Sequence, residues 1–148
     1  MKPGLNIGDR ATFRRVVHAD EVVPRLFADA RVMDDMPEVL ASAMMIGMFE
    51  WACVEQIAPY CEAGEGSLGI GFELSHVAPT PPGLTLSVES EVVEIDGRFI
   101  TFHVRGHDGQ DMIGEGRHRR AVTRWEKFNA RVAAKAARAR ETEEMRHG

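Results

Sequence analysis

The sequence predicts an α+β domain: one long buried helix lying on a curled antiparallel sheet. Two observations predict it. From Pro37 to about Ala58 the chain is apolar nearly all the way round at helical spacing. From Ser67 onward the period changes to two, and the chain reads as successive strands divided by turn signals. A length of 148 residues suits a single domain.

Residues 1–19 read as an extended lead-in, with Thr12, Phe13, Val16 and Val17 as strand material. Asp34 and Asp35 precede Pro37, a helix-start signal, and Pro59 closes the helix. Gly64 and Gly66 mark a loop. In the next strand Leu68, Ile70, Phe72, Leu74 and His76 share one face. Pro79, Pro81, Pro82 and Gly83 break the chain before a strand from Leu84 to about Ile95. Asp96-Gly97 signals a hairpin into a strand carrying Ile100, Phe102 and Val104. Asp108-Gly109 turns into a last strand, Met112 to Thr123. Phe128 to about Glu144 is a helix by propensity, with Trp125, Phe128 and Val132 available to dock its first turns. A helix apolar on all sides needs the sheet to wrap it, the hot-dog arrangement. Such a sheet leaves open edges, which points to a homodimer.

Composition excludes several classes. With 44% hydrophobic and 28% charged residues the chain is neither disordered nor fibrous. Two cysteines, Cys53 and Cys61, supply no disulfide framework and no four-thiolate zinc site. The longest apolar run, Val39 to Phe49, is too short for a bilayer, and no signal peptide follows Met1, so a cytoplasmic chain is expected. A net charge of −5 argues against nucleic acid. No Lys or Arg falls between Arg31 and Arg98; Arg98, Arg105, Arg117, Arg119 and Arg120 then follow closely. That cluster is either an anion site or a solvated strand face. The six histidines show no metal-ligand spacing, and Gly114 and Gly116 lack the helix a phosphate loop requires.

Three polar residues break the apolar pattern. Glu50 stands within the most apolar stretch, where a carboxylate must be neutral, paired or beside a cavity. Ser42 precedes it by eight residues, about 80° away around the helix axis. His76 ends a strand before the proline-rich loop and, taken alone, reads as a core histidine bonded to a carbonyl. A hydroxyl, a carboxylate and an imidazole together form the set used in acid–base or nucleophilic acyl chemistry.

The run Pro37 to Val54 (PEVLASAMMIGMFEWACV) resembles the central helix of the fluoroacetyl-CoA thioesterase family, which has the hot-dog fold. So do Gly64 to Gly69, His76 with Ala78 to Leu84 (APTPPGL), Asp108-Gly109, and Glu126 to Ala130 (EKFNA). The likeness covers residues 1–133 as one thioesterase domain and leaves 134–148 as an Ala- and Arg-rich helical or frayed tail. It implies a catalytic Ser42, Glu50 and His76, with Ser42 where the family has threonine. It also implies Gly69 and Arg120 at the substrate, Arg120 serving the anionic part of coenzyme A with Arg117 as helper. Met33 and Met36 match two phenylalanines that cover the family's acyl pocket; methionine makes a looser cover. The implied activity is hydrolysis of fluoroacetyl-CoA to fluoroacetate and CoA, conferring fluoroacetate resistance, with no cofactor and no metal. The alternatives are a general short-chain acyl-CoA thioesterase and a non-catalytic acyl-CoA-binding dimer.

Overall fold

Five strands build one antiparallel sheet: β1 (Arg10–Val16), β2 (Glu65–Leu74), β3 (Thr85–Asp96), β4 (Phe99–His107) and β5 (Met112–Arg124). Their spatial order is β1-β3-β4-β5-β2. The computed structural model describes all 148 residues, with helices α1 (Ser42–Ile57) and α2 (Trp125–His147). Alternation works as expected in the central strands. Leu86, Val88 and Val92 of β3, Ile100, Phe102 and Val104 of β4 and Ile113 of β5 are buried together. They pack with Met45, Met48, Phe49, Cys53 and Ile57 of α1. Phe49 and Phe102 are fully enclosed, so truncating either to alanine costs about 3–5 kcal/mol. This is the hot-dog architecture expected, and no helix is long and apolar enough to cross a membrane.

The helix departs from expectation at its start and on one face. Pro37 to Ala41 is not helical. Leu40 N–H donates to Thr80 O, Ala41 N–H donates to Glu21 O, and Leu40 bridges to Val22. Those tertiary bonds hold the segment extended, so α1 begins at Ser42. Burial is not all-round either. Ala43, Gly47, Trp51 and Val54 are exposed along one side of α1. The sheet wraps only the other side.

β2 lies at the sheet edge, paired with β5 alone. An irregularity between Gly69 and Gly71 breaks its alternation. Ile70 and Phe72 are therefore half exposed rather than core, while Ser67 is buried. The strand ends at Leu74, which leaves His76 in the loop beyond it.

β5 runs into α2 without a loop. The side chain of Trp125 lies over Gly66, where a Cβ would overlap the indole ring. Phe128 meets Trp125 edge-on at 6.4 Å, whereas Val132 is 51% exposed and does not dock. α2 continues unbroken past residue 133 and contributes no buried residue.

Asp108 secures the loop that carries His76. Its Oδ1 accepts from the N–H groups of Gln110 and Asp111 in its own turn, at 2.9 and 2.8 Å. Its Oδ2 accepts from Thr80 Oγ1 at 2.9 Å, and both side chains are buried.

Candidate active site

Ser42 is the first residue of α1, and its Oγ lies 2.7 Å from His76 Nδ1. His76 comes from the loop after β2, so this pair joins the helix start to the sheet edge. The other ring nitrogen, Nε2, is buried and has no hydrogen-bond partner. Burial pushes the His76 pKa down, with backbone hydrogen bonding at Ala78 opposing it, so the ring is neutral at neutral pH. A neutral imidazole against a hydroxyl, with one nitrogen unused, is suited to moving a proton.

Glu50 lies two turns further along α1, about 12 Å along the axis. It touches neither Ser42 nor His76. Its Oε2 accepts from Arg120 Nη1 at 2.8 Å, and its side chain is 36% exposed. Within one chain the expected trio is thus two separate groups, a hydroxyl–imidazole pair and a carboxylate–guanidinium pair.

Arg120, expected to serve the anionic part of coenzyme A, hydrogen-bonds Glu50 in this structure. It is 3% exposed and points inward from β5. Nε donates to Ser67 Oγ at 2.8 Å and Nη2 to Ser67 O at 2.7 Å. Nη1 is shared between Glu50 and His118 Nε2, the latter at 3.0 Å. The guanidinium is therefore occupied in orienting Glu50. Gly69 serves the same end, because a Cβ there would overlap Glu50 Oε2 and crowd the Phe72 and His118 rings.

His118 was not singled out by sequence, and it belongs to this cluster. It is 1% exposed and stacks on Phe72 at 4.5 Å. Its Nδ1 lies 2.9 Å from Gly71 O, a pure acceptor, so Nδ1 carries the proton and Nε2 accepts from Arg120. Burial lowers its pKa most; the hydrogen bond to Gly71 O opposes this, Arg120 lowers it further, and Glu50 raises it. The signal lay in β5 parity: His118 and Arg120 alternate with exposed Arg117 and Arg119, and so face the core.

The same parity dissolves the arginine cluster. Arg105, Arg117 and Arg119 are exposed, as is Arg98, and only Arg120 turns inward. Arg98 and Arg119 each place a guanidinium over the Phe99 ring, at 4.7 and 4.8 Å. Arg117 is not beside Arg120 and gives it no help. Met33 closes a short 3-10 turn (Arg31–Met33), and Met36 follows it. Met36 is 43% exposed and shares this segment with exposed Phe27 and Val32. Cys53 is buried near Arg120 and Glu50, and burial raises its pKa to about 12, so it is no nucleophile.

Comparison with known proteins bears on this geometry. The family model for fluoroacetyl-CoA-specific thioesterase (FlK) matches residues 22–126. The fluoroacetyl-CoA thioesterase of Streptantibioticus cattleyicolor is 46% identical over 135 residues, 91% of this chain and 97% of that protein. A solved structure of the fluoroacetyl-CoA thioesterase FlK superposes with a TM-score of 0.88 at 45% identity, covering 90% of this chain and 98% of that one. A variant of FlK in complex with fluoroacetate and CoA superposes with a TM-score of 0.82 at 44% identity, covering 84% and 99%. With half or more of the chain matched by the family model and this level of identity, the chain belongs to the fluoroacetyl-CoA-specific thioesterase family.

Proposed function

We propose that this chain hydrolyses short acyl-CoA thioesters, with fluoroacetyl-CoA as its substrate, and so confers resistance to fluoroacetate. The observation that carries the catalytic reading is the Ser42–His76 pair with an unused, buried Nε2. The substrate reading rests on family membership.

The roles follow from the donors each group has left. His76 Nδ1–H donates to Ser42 Oγ, and the Ser42 hydroxyl then donates to the thioester carbonyl. Glu50, held by Arg120, supplies the attacking oxygen, either its own or that of a water it deprotonates. The C–S bond breaks, and the proton lost by the attacking water (in the direct route, by the water that hydrolyses the Glu50 anhydride) passes through His76 Nε2 to the departing sulfur. Fluorine acidifies the acyl α-carbon, so proton removal there by His76 is a second route open mainly to fluoroacetyl groups. Met33 and Met36 form the cover of the acyl pocket.

A homodimer completes the site in this reading. Ala43, Gly47, Trp51 and Val54 present an uncovered side of α1, and β2 has a free edge flanked by half-exposed Ile70 and Phe72. A second copy placed there extends the sheet edge to edge and encloses the face along which Ser42 and Glu50 lie two turns apart. The protein then works as a soluble cytoplasmic dimer.

The test is thiol release from fluoroacetyl-CoA and acetyl-CoA side by side, with the mass in solution measured by light scattering. A kcat/KM higher by several orders of magnitude for the fluorinated ester is expected. Equal rates, or a preference for longer acyl chains, make it a general acyl-CoA thioesterase. Saturable binding without thiol release makes it a binding module.

A further inference from the structure

The Glu50 carboxylate accepts one hydrogen bond, from Arg120 Nη1 to Oε2, and Oε1 is left open. Its side chain is 36% exposed, so its direction depends on how the guanidinium is held. Ser67 holds one edge of that group, through Nε and Nη2. A planar guanidinium bound along one edge can still swing about that edge. A contact away from the edge removes the swing. His118 Nε2 supplies one, 3.0 Å from Nη1. Glu50 meets the same nitrogen, but half open to water it follows the guanidinium rather than fixing it.

The His118 ring is itself immobile. Its Nδ1–H donates to Gly71 O at 2.9 Å, and Phe72 stacks on it with the planes 19° apart. At 1% exposure no water can stand in for its Nε2. Gly71 belongs to the β2 irregularity that also sets Gly69 against Glu50. A histidine serving packing alone needs only the Gly71 bond and the stack; the bond to Arg120 goes beyond both. We propose that His118 is a positioning residue for hydrolysis: as the acceptor on Arg120 Nη1 it fixes the tilt of the guanidinium, and through it the direction in which Glu50 presents its open oxygen. This role rests on the thioesterase reading above, in which Glu50 supplies the attacking oxygen.

Two amide substitutions separate the two ring nitrogens. In His118→Gln the side-chain oxygen falls near the place of Nε2 and can accept from Arg120. In His118→Asn the amide nitrogen falls near the place of Nδ1 and can donate to Gly71 O, while nothing meets Nη1. His118→Asn is expected to lower kcat for thiol release about tenfold or more, with KM changed less than about twofold, because only the attack depends on the direction of Glu50. His118→Gln should recover kcat to within about threefold of the parent. Crystal structures without substrate should keep the Glu50–Arg120 contact in His118→Gln and show it displaced in His118→Asn. Urea midpoints establish that the variants fold; His118→Leu, which offers neither bond, takes the place of His118→Asn if that one does not. Equal kcat in the parent, His118→Gln and His118→Asn overturns the proposal. So does a loss in His118→Gln as large as in His118→Asn, which would make the Gly71 bond the working one. An unmoved Glu50–Arg120 contact in His118→Asn overturns it too. Absence of thiol release by the parent overturns the thioesterase reading, and the crystal structures then still decide whether His118 places Glu50.

Discussion

Arg120→Met keeps most of the aliphatic stem and removes every donor of the guanidinium. Four acceptors then lose a partner: Ser67 Oγ, Ser67 O, Glu50 Oε2 and His118 Nε2. Ser67 and His118 are buried, at 8% and 1% exposure, so water cannot replace the lost bonds. Glu50 is half open and can turn toward solvent. Breaking a buried ion pair from one side costs about 3–5 kcal/mol; the exposure of Glu50 puts this case near the lower figure. A loss of about 3 kcal/mol is a large share of the 5–15 kcal/mol typical of a domain. It should lower Tm by roughly 6–12 °C at this chain length. Urea unfolding followed by circular dichroism measures it directly. Glu50→Gln in both backgrounds supplies the cycle, with an expected coupling of about 1–2 kcal/mol between the two positions. Arg120→Lys should recover only part of the loss, because an ammonium cannot span Ser67, Glu50 and His118 together. A loss under about 1 kcal/mol, or additive effects in the cycle, would refute the claim that this guanidinium organises the cluster.

Gly69→Ala should cut kcat by more than tenfold in the thiol-release assay, since the new methyl displaces Glu50 and presses on Phe72 and His118; an unimpaired enzyme would contradict the packing. Ser42→Ala should lower kcat/KM by about a hundredfold while changing the urea midpoint little, because Ser42 is exposed. His76→Ala should remove most turnover, and near-native kcat/KM would end its assignment. Stability should fall on acidification. His76 and His118 both have folded pKa values below the ordinary 6.5, so below that pH the unfolded chain binds more protons. Their contribution is complete above about 6.5 and is lost as pH falls toward the lowered folded values. Urea midpoints at pH 7.5 and 5.5 check it, and an unchanged midpoint in a His76→Ala/His118→Asn variant across that range isolates these two residues.

Much of the fold could be read from local pattern because local pattern decided it. The central strands alternate as written since each buries one face against α1, and Asp96-Gly97 makes its hairpin within four residues of backbone. The misreadings share a cause: each turned on a partner distant in sequence. Pro37 to Ala41 has helical composition, yet Glu21 and Thr80 claim its amides. Ile70 and Phe72 have core composition, yet β2 is an edge with a bulge. Ser42, Glu50 and His76 stood out because polarity in an apolar setting is visible in one dimension. Their mutual geometry was not, nor was His118, whose neighbours Arg117 and Arg119 disguised the inward parity of β5. Sequence shows Arg120 as a cation but not which way its strand turns it, and it is buried against Ser67, Glu50 and His118.

The Asp108 turn has a bearing on how this protein can vary. Asp108 holds Thr80 by its hydroxyl, and Thr80 in turn accepts the amide of Leu40, two residues before Ser42. The hydroxyl and the imidazole therefore stand on a common footing laid by a hairpin tip that touches neither. Lengthening that tip by a single residue would misalign both at once, however well the pocket itself were preserved. The segment from residue 24 to 36, with its short turns and exposed Phe27, Val32 and Met36, makes no backbone hydrogen bond to the support of that pair. Divergence in acyl preference has room to proceed there, while any change of length at the Asp108 tip reaches the hydroxyl and the imidazole together.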